Sequence, residues 1–187
     1  MSTIYTYHAE CPALAEAPAA TDVLLVYDTS AGRTKTITAD YLAGAVSAPV
    51  VTTATSLTIT AAAHANRTVR IDSAAPVAIT LPQATGTGNK YRFVVGVAAT
   101  GTASTIKVAN ATDVMRGYAF AVTTTSDNAE GFKTSATSDT ISMNGTTLGG
   151  VVGDIYEIED LLTGVFSVKC FTAPTGTEAT PFSATVS

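Results

Sequence analysis

Polar and apolar residues alternate along much of this chain with a period of two, the spacing of strands that bury one face. Residues 22–27 (DVLLVY) predict a strand and residues 33–38 (RTKTIT) its returning partner. Between them Asp28-Thr-Ser-Ala-Gly32 supplies a turn: the Asp side chain bonds nearby backbone, and glycine accepts positive φ. Together they make a hairpin. Thr38 or Asp40 is placed to cap a short helix running to Ala45, and Pro49 ends this first unit. A train of short strands follows, at 56–60 (SLTIT), 68–71 (TVRI), 76–81 (PVAITL), 90–97 (KYRFVVGV) and 105–109, with loops at 84–89 and 99–104. The central apolar run of 90–97 predicts burial on both faces. Residues 113–122 fit either a strand or a helical turn, and 123–130 read as a polar loop. Two short strands flank Ser138-Asp139, the glycines of 144–153 demand repeated turning, and 154–158 with 164–171 predict a final hairpin. A strand-like segment, 182–186, closes the chain.

Strands at roughly ten-residue spacing, with turn signals between them, predict an all-β fold: an antiparallel sandwich or barrel-like domain. The expected organisation is an N-terminal arm and small hairpin unit over residues 1–47, serving anchoring or oligomer contacts, followed by the sandwich or barrel over 48–187. Residues 1–20 have no clean period, and Pro12 and Pro18 oppose regular structure. They read as an extended arm, with plain disorder the alternative. Tyr5 and Tyr7 alternate, so on an extended arm both rings face one side. With the apolar Leu14 they are the candidate partner-binding residues.

Composition sharpens this picture. Charged residues make up only 13% of the 187-residue chain, about half the usual share, while hydrophobic residues reach 46%. Thr (34) and Ala (32) together exceed a third of the chain. Threonine's branched Cβ favours strands, and alanine allows layers to approach closely. The net charge of −5 and the scatter of the ten basic residues argue against nucleic acid as a partner. No apolar run approaches the roughly 20 residues that span a bilayer, and the N-terminus lacks a basic region followed by an apolar run. The expectation is a soluble chain made in a cytoplasm, with no membrane partner. Cys11 and Cys170 lie far apart and read as free thiols, a disulfide between them being the alternative.

Candidate chemistry is sparse. Of the two histidines, His8 falls on the arm and His64 follows Ala61-Ala-Ala63; neither belongs to a metal-binding or nucleophile motif. Asp154, Glu157, Glu159 and Asp160 form the densest acidic run. On a strand Glu157 and Glu159 share a face, and a solvent-facing pair is the simpler reading beside calcium binding. The glycine-rich 86–88 and 149–153 lack the Lys-Ser/Thr of a phosphate loop. Thr-Gly-Thr recurs at 85–87, 100–102 and 175–177, unevenly spaced, as shared turn chemistry. No Trp is present for stacking sugars, and most Tyr and Phe fall within alternating strands and read as core aromatics, Tyr5 and Tyr7 on the arm being the exceptions. No catalytic residue, cofactor or metal ligand is expected.

Four stretches carry a resemblance. Residues 18–38 (PAATDVLLVYDTSAGRTKTIT) resemble a module near the N-termini of phage head and tail structural proteins. Residues 84–117 (ATGTGNKYRFVVGV…TIKVANATDVMRG), 138–153 (SDTISMNGTTLGGVVG) and 173–183 (APTGTEATPFS) resemble tailed-bacteriophage virion proteins of the capsid decoration, cement and head-fibre kind. The resemblance is one of texture and local phrases. It implies a non-enzymatic cement protein that binds the outside of the head on the major capsid protein, often as a homotrimer, and stabilises it. The alternative it implies is a head or tail fibre recognising the host surface.

Overall fold

The computed structural model describes residues 23–38, 48–100, 103–123 and 128–186. The chain divides into two units, Met1–Ala48 and Pro49–Ser187. In the first, β1 (Val23–Asp28) pairs antiparallel with β2 (Arg33–Thr38), from Val23 opposite Thr38 to Asp28 opposite Arg33. Gly32 has φ 61°, the left-handed conformation that the turn signal anticipated. The helix expected to reach Ala45 lies outside the described residues.

The second unit is an all-β sandwich. Twelve strands follow: β3 (Val50–Thr52), β4 (Ser56–Thr58), β5 (Arg67–Asp72), β6 (Ala78–Thr80), β7 (Lys90–Val97), β8 (Ser104–Lys107), β9 (Val114–Val122), β10 (Ala129–Lys133), β11 (Thr140–Met143), β12 (Ile155–Leu162), β13 (Val165–Thr172) and β14 (Phe182–Ser183). A single turn of helix, α1 (Ala61–His64), sits between β4 and β5. A seven-stranded sheet has the order β10-β9-β13-β12-β7-β5-β3, and a five-stranded sheet the order β14-β11-β8-β6-β4.

The pairing is mixed, which corrects the purely antiparallel arrangement expected from sequence. From β3 to β8 successive strands alternate between the sheets, so each sheet grows by one parallel strand per circuit: β3, β5 and β7 in one, β4, β6 and β8 in the other. Beyond β8 the chain closes this stack with hairpins. β12 joins β7 and β13 antiparallel, β11 joins β8 and β14 antiparallel, and β9 runs parallel to β13. Residues 113–122, ambiguous in sequence, resolve as the strand β9 because every second side chain has a core to enter.

Register lines the core up in rows. On the inner face of the larger sheet Val50, Val69, Phe93, Tyr156, Cys170, Ala119 and Phe132 are successive neighbours across all seven strands. Facing them, Leu57, Ile79, Ile106, Ile141 and Phe182 cross all five strands of the smaller sheet. Both rows belong to one hydrophobic cluster. β7 buries only one face: Tyr91, Phe93 and Val95 point inward, whereas Val94 is half-exposed, correcting the expectation of two buried faces.

Candidate functional site

The acidic run at 154–160 is divided by the pleat of β12. Asp154 precedes the strand and is buried, as is Asp160, while Glu157 is exposed and Glu159 half-exposed on the outer face. The solvent-facing Glu pair is therefore as the alternation predicts. Asp160 is enclosed by the first Thr-Gly-Thr turn. It accepts from the backbone N–H groups of Thr85 (2.9 Å), Gly86 (2.8 Å) and Thr87 (3.1 Å) and from the hydroxyls of Thr85 and Thr87. The glycine-rich loop is thus an anion cradle filled by the chain's own carboxylate. Burial alone would raise the Asp160 carboxyl, but the Thr87 hydroxyl and the three N–H groups outweigh it and hold it below its ordinary range.

Asp154 repeats the device at the other glycine-rich loop with the opposite balance. It accepts from the N–H groups of Gly150 (2.8 Å), Val151 (3.1 Å) and Ala173 (2.8 Å). Burial is the larger influence here and raises its carboxyl above the ordinary range despite those donors. Asp139 accepts from the N–H groups of Thr185 and Val186, fastening the last described residues to β11, and Asp113 accepts from Ala84 N–H and the Asn110 amide. Each of these four carboxylates ties a loop to the sandwich. Among the described residues no group of three or more His, Cys, Asp and Glu side chains is placed to hold a metal ion.

His64 is buried at the end of α1, where its Nδ1 accepts from the Thr60 N–H at 3.0 Å, closing the turn that Thr60 also caps. Cys170 is a free thiol in the middle of the inner row. Burial, with Asp154 nearby, pushes the thiol far above its ordinary value, the direction that disfavours the thiolate.

The surfaces that remain open lie elsewhere. In the hairpin unit Leu25 and Tyr27 are neighbours on one face of β1 and are 72% and 66% exposed. On the sandwich, an apolar row crosses the outer face of the larger sheet: Val51, then Arg70, Val94, Ile155, Phe171 and Phe120, ending at Gly131. Phe120 and Phe171 stack with centroids 6.3 Å apart, and Tyr118 meets Phe120 edge-on at 5.4 Å. One step along the strands runs a mixed row of Thr68, Arg92, Glu157, Lys169, Tyr118 and Lys133, with Arg92 and Glu157 paired at 3.8 Å. Two grooves flank these rows. One, of about 410 Å³, lies among Arg67, Lys90, Arg92, Glu157, Glu159 and Lys169. The other, of about 620 Å³, lies beside Tyr118, Phe120, Gly131 and Phe132.

Tyr5, Tyr7, Leu14, His8 and Cys11 lie outside the described residues. Sequence reasoning counted Tyr118, Phe120 and Phe171 with the core aromatics. The signal that separates them was present: Phe120 falls out of step with Ala119 and Ala121, and Phe171 with Cys170 and Thr172, so each lies on the face opposite the core. No protein-family model matches the chain, and searches of curated proteins and of solved structures returned no match.

Proposed function

We propose that this chain is a non-enzymatic structural subunit of a tailed-phage particle, a cement protein held on the outer surface of the head through its N-terminal unit. The observation that carries this reading is the pair of exposed apolar side chains, Leu25 and Tyr27, on one face of the hairpin. A two-stranded ribbon is marginal in water by itself, and this one presents Leu25 and Tyr27 outward. Such a face gains stability from a partner, and the major capsid protein is the partner that the sequence resemblance implies. A homotrimer would link three anchors and raise the effective affinity well above that of one. The sandwich supports the reading by being fastened at its loops with buried Asp-to-backbone bonds, a construction suited to a module that must persist on a particle.

The test is co-sedimentation of the full chain with heads stripped of accessory proteins, counting bound copies per head. Stoichiometric binding, lost when Leu25 and Tyr27 are replaced together by Asp, is the expected result. Absence of binding by the unaltered chain overturns the head assignment and moves the protein to a fibre position that recognises the host surface.

A further inference from the structure

We infer that the outer face of the seven-stranded sheet is a two-fold contact between copies of this chain, sheet on sheet, with the axis running along the strands between β12 and β13. This goes beyond attachment through the hairpin and does not depend on it.

The size of the patch fits a protein interface. A buried aromatic side chain accounts for about 150–250 Å². Tyr118, Phe120 and Phe171 are 42%, 47% and 45% exposed, so their rings leave roughly 200–350 Å² uncovered. Val94, Ile155 and the 53%-exposed Val122 extend the same patch. An apolar patch of a few hundred Å² is as large as monomers usually show. It is about half of the ~800 Å² that each partner contributes to a standard interface, the remainder being polar rim.

The occupant follows from the order of side chains across the sheet. A two-fold axis between β12 and β13 preserves each row and reverses it, setting β12 over the second copy's β13, and β7 over its β9. In the mixed row Glu157 then faces the second copy's Lys169, twice over, and Arg92 faces its Tyr118, a cation over an aromatic ring. In the apolar row Ile155 faces Phe171 and Val94 faces Phe120. At the end of that row Arg70 comes over Gly131, where the missing side chain and the 620 Å³ groove leave room for it. Shifting the axis onto β12 instead sets Arg92 against Lys169 and loses these pairs. The rim row is less matched, bringing Lys90 near Arg116, where solvent screens the repulsion. Two twisted sheets stacked face to face with strands nearly aligned is an ordinary packing geometry.

The experiment is sedimentation velocity of the pure full-length chain. Pairing doubles the mass of whatever unit is otherwise present, and F120E/F171E should halve it while the circular dichroism spectrum stays that of the folded parent; its melting temperature should fall only by the concentration-dependent part that pairing adds. E157K sets Lys against Lys169, and K169E sets Glu against Glu157, so each alone should give the halved mass. A one-to-one mixture of E157K with K169E restores both opposite-charge pairs and should recover the doubled mass. An unchanged mass in F120E/F171E, a mixture that stays at the halved mass, or a parent chain that runs at 19.0 kDa at high concentration overturns the inference. Head binding is not part of this readout, so failure of the cement assignment leaves the result interpretable.

Discussion

The two faces of the seven-stranded sheet are built from the same strands in the same register, one residue apart, and they have opposite fates. The inner row, Val69, Phe93, Tyr156, Cys170 and Ala119, is closed by the smaller sheet and is almost wholly removed from water. The outer row, Arg70, Val94, Ile155, Phe171 and Phe120, is nearly as apolar, yet no described strand of the sandwich lies over it and its side chains stay half-exposed or exposed. Hydrophobicity alone therefore does not decide burial. The smaller sheet covers one side because β4, β6 and β8 return across it at every circuit, and all twelve described strands of this unit are used in the two sheets, with none left to form a third layer. An apolar row that a fold leaves open is what a partner can use.

Substitutions in the two rows should separate them sharply. The largest effect is expected for Phe93→Ala: a fully buried ring facing the second sheet costs about 3–5 kcal/mol when truncated. It should appear as a lower urea midpoint with an unchanged slope. Gly117→Ala should come next. Gly117 lies in β9 with φ 154°, and an added Cβ would stand 1.8 Å from the Val168 carbonyl oxygen. The backbone conformation alone costs about 1–3 kcal/mol for a side chain, and β9 must move off β13 as well.

Asp160→Asn should be intermediate, since hydrogen bonds to a charged acceptor contribute about 1.5–3 kcal/mol. Its pH dependence is distinctive. The folded carboxyl titrates below its unfolded value, so its stabilisation is present above the ordinary carboxylate range. That stabilisation is lost as pH falls through the folded value. Acid unfolding followed by circular dichroism should therefore be steeper in the parent than in D160N. Asp154, raised by burial, contributes with the opposite sign: its ionised form opposes folding, and the penalty fades as pH falls. The smallest change in chain stability is expected for Phe171→Ala, within about 1 kcal/mol of the parent, as for a surface residue. If thermal melts show Phe171→Ala to be as damaging as Phe93→Ala, the distinction between the rows fails.

Much of the fold was legible because alternation is a local property. The hairpin of β1 and β2, the hairpin of β12 and β13, the strand β7 and the closing strand at Phe182 all follow from period-two patterns bounded by Gly, Asp and Pro. The placing of Glu157 and Glu159 on one outer face followed from the same pleat. The roles of Asp160 and Asp154 were not legible. Their donors lie 73–75 residues away in one case and up to 19 in the other, and no spacing rule links a carboxylate to a turn that far off.

The sequence by itself determined where strands form, where they turn and which residues of each strand share a face, because steric preference and alternation act over a few residues. Only the tertiary structure decided which strands are neighbours. Parallel and antiparallel strands share the same period, so nothing local distinguishes a hairpin partner from the parallel neighbour one circuit away. That choice placed β5 beside β3 and β7, put Asp160 into the Thr85–Thr87 turn, and left Phe120 and Phe171 side by side on an uncovered face.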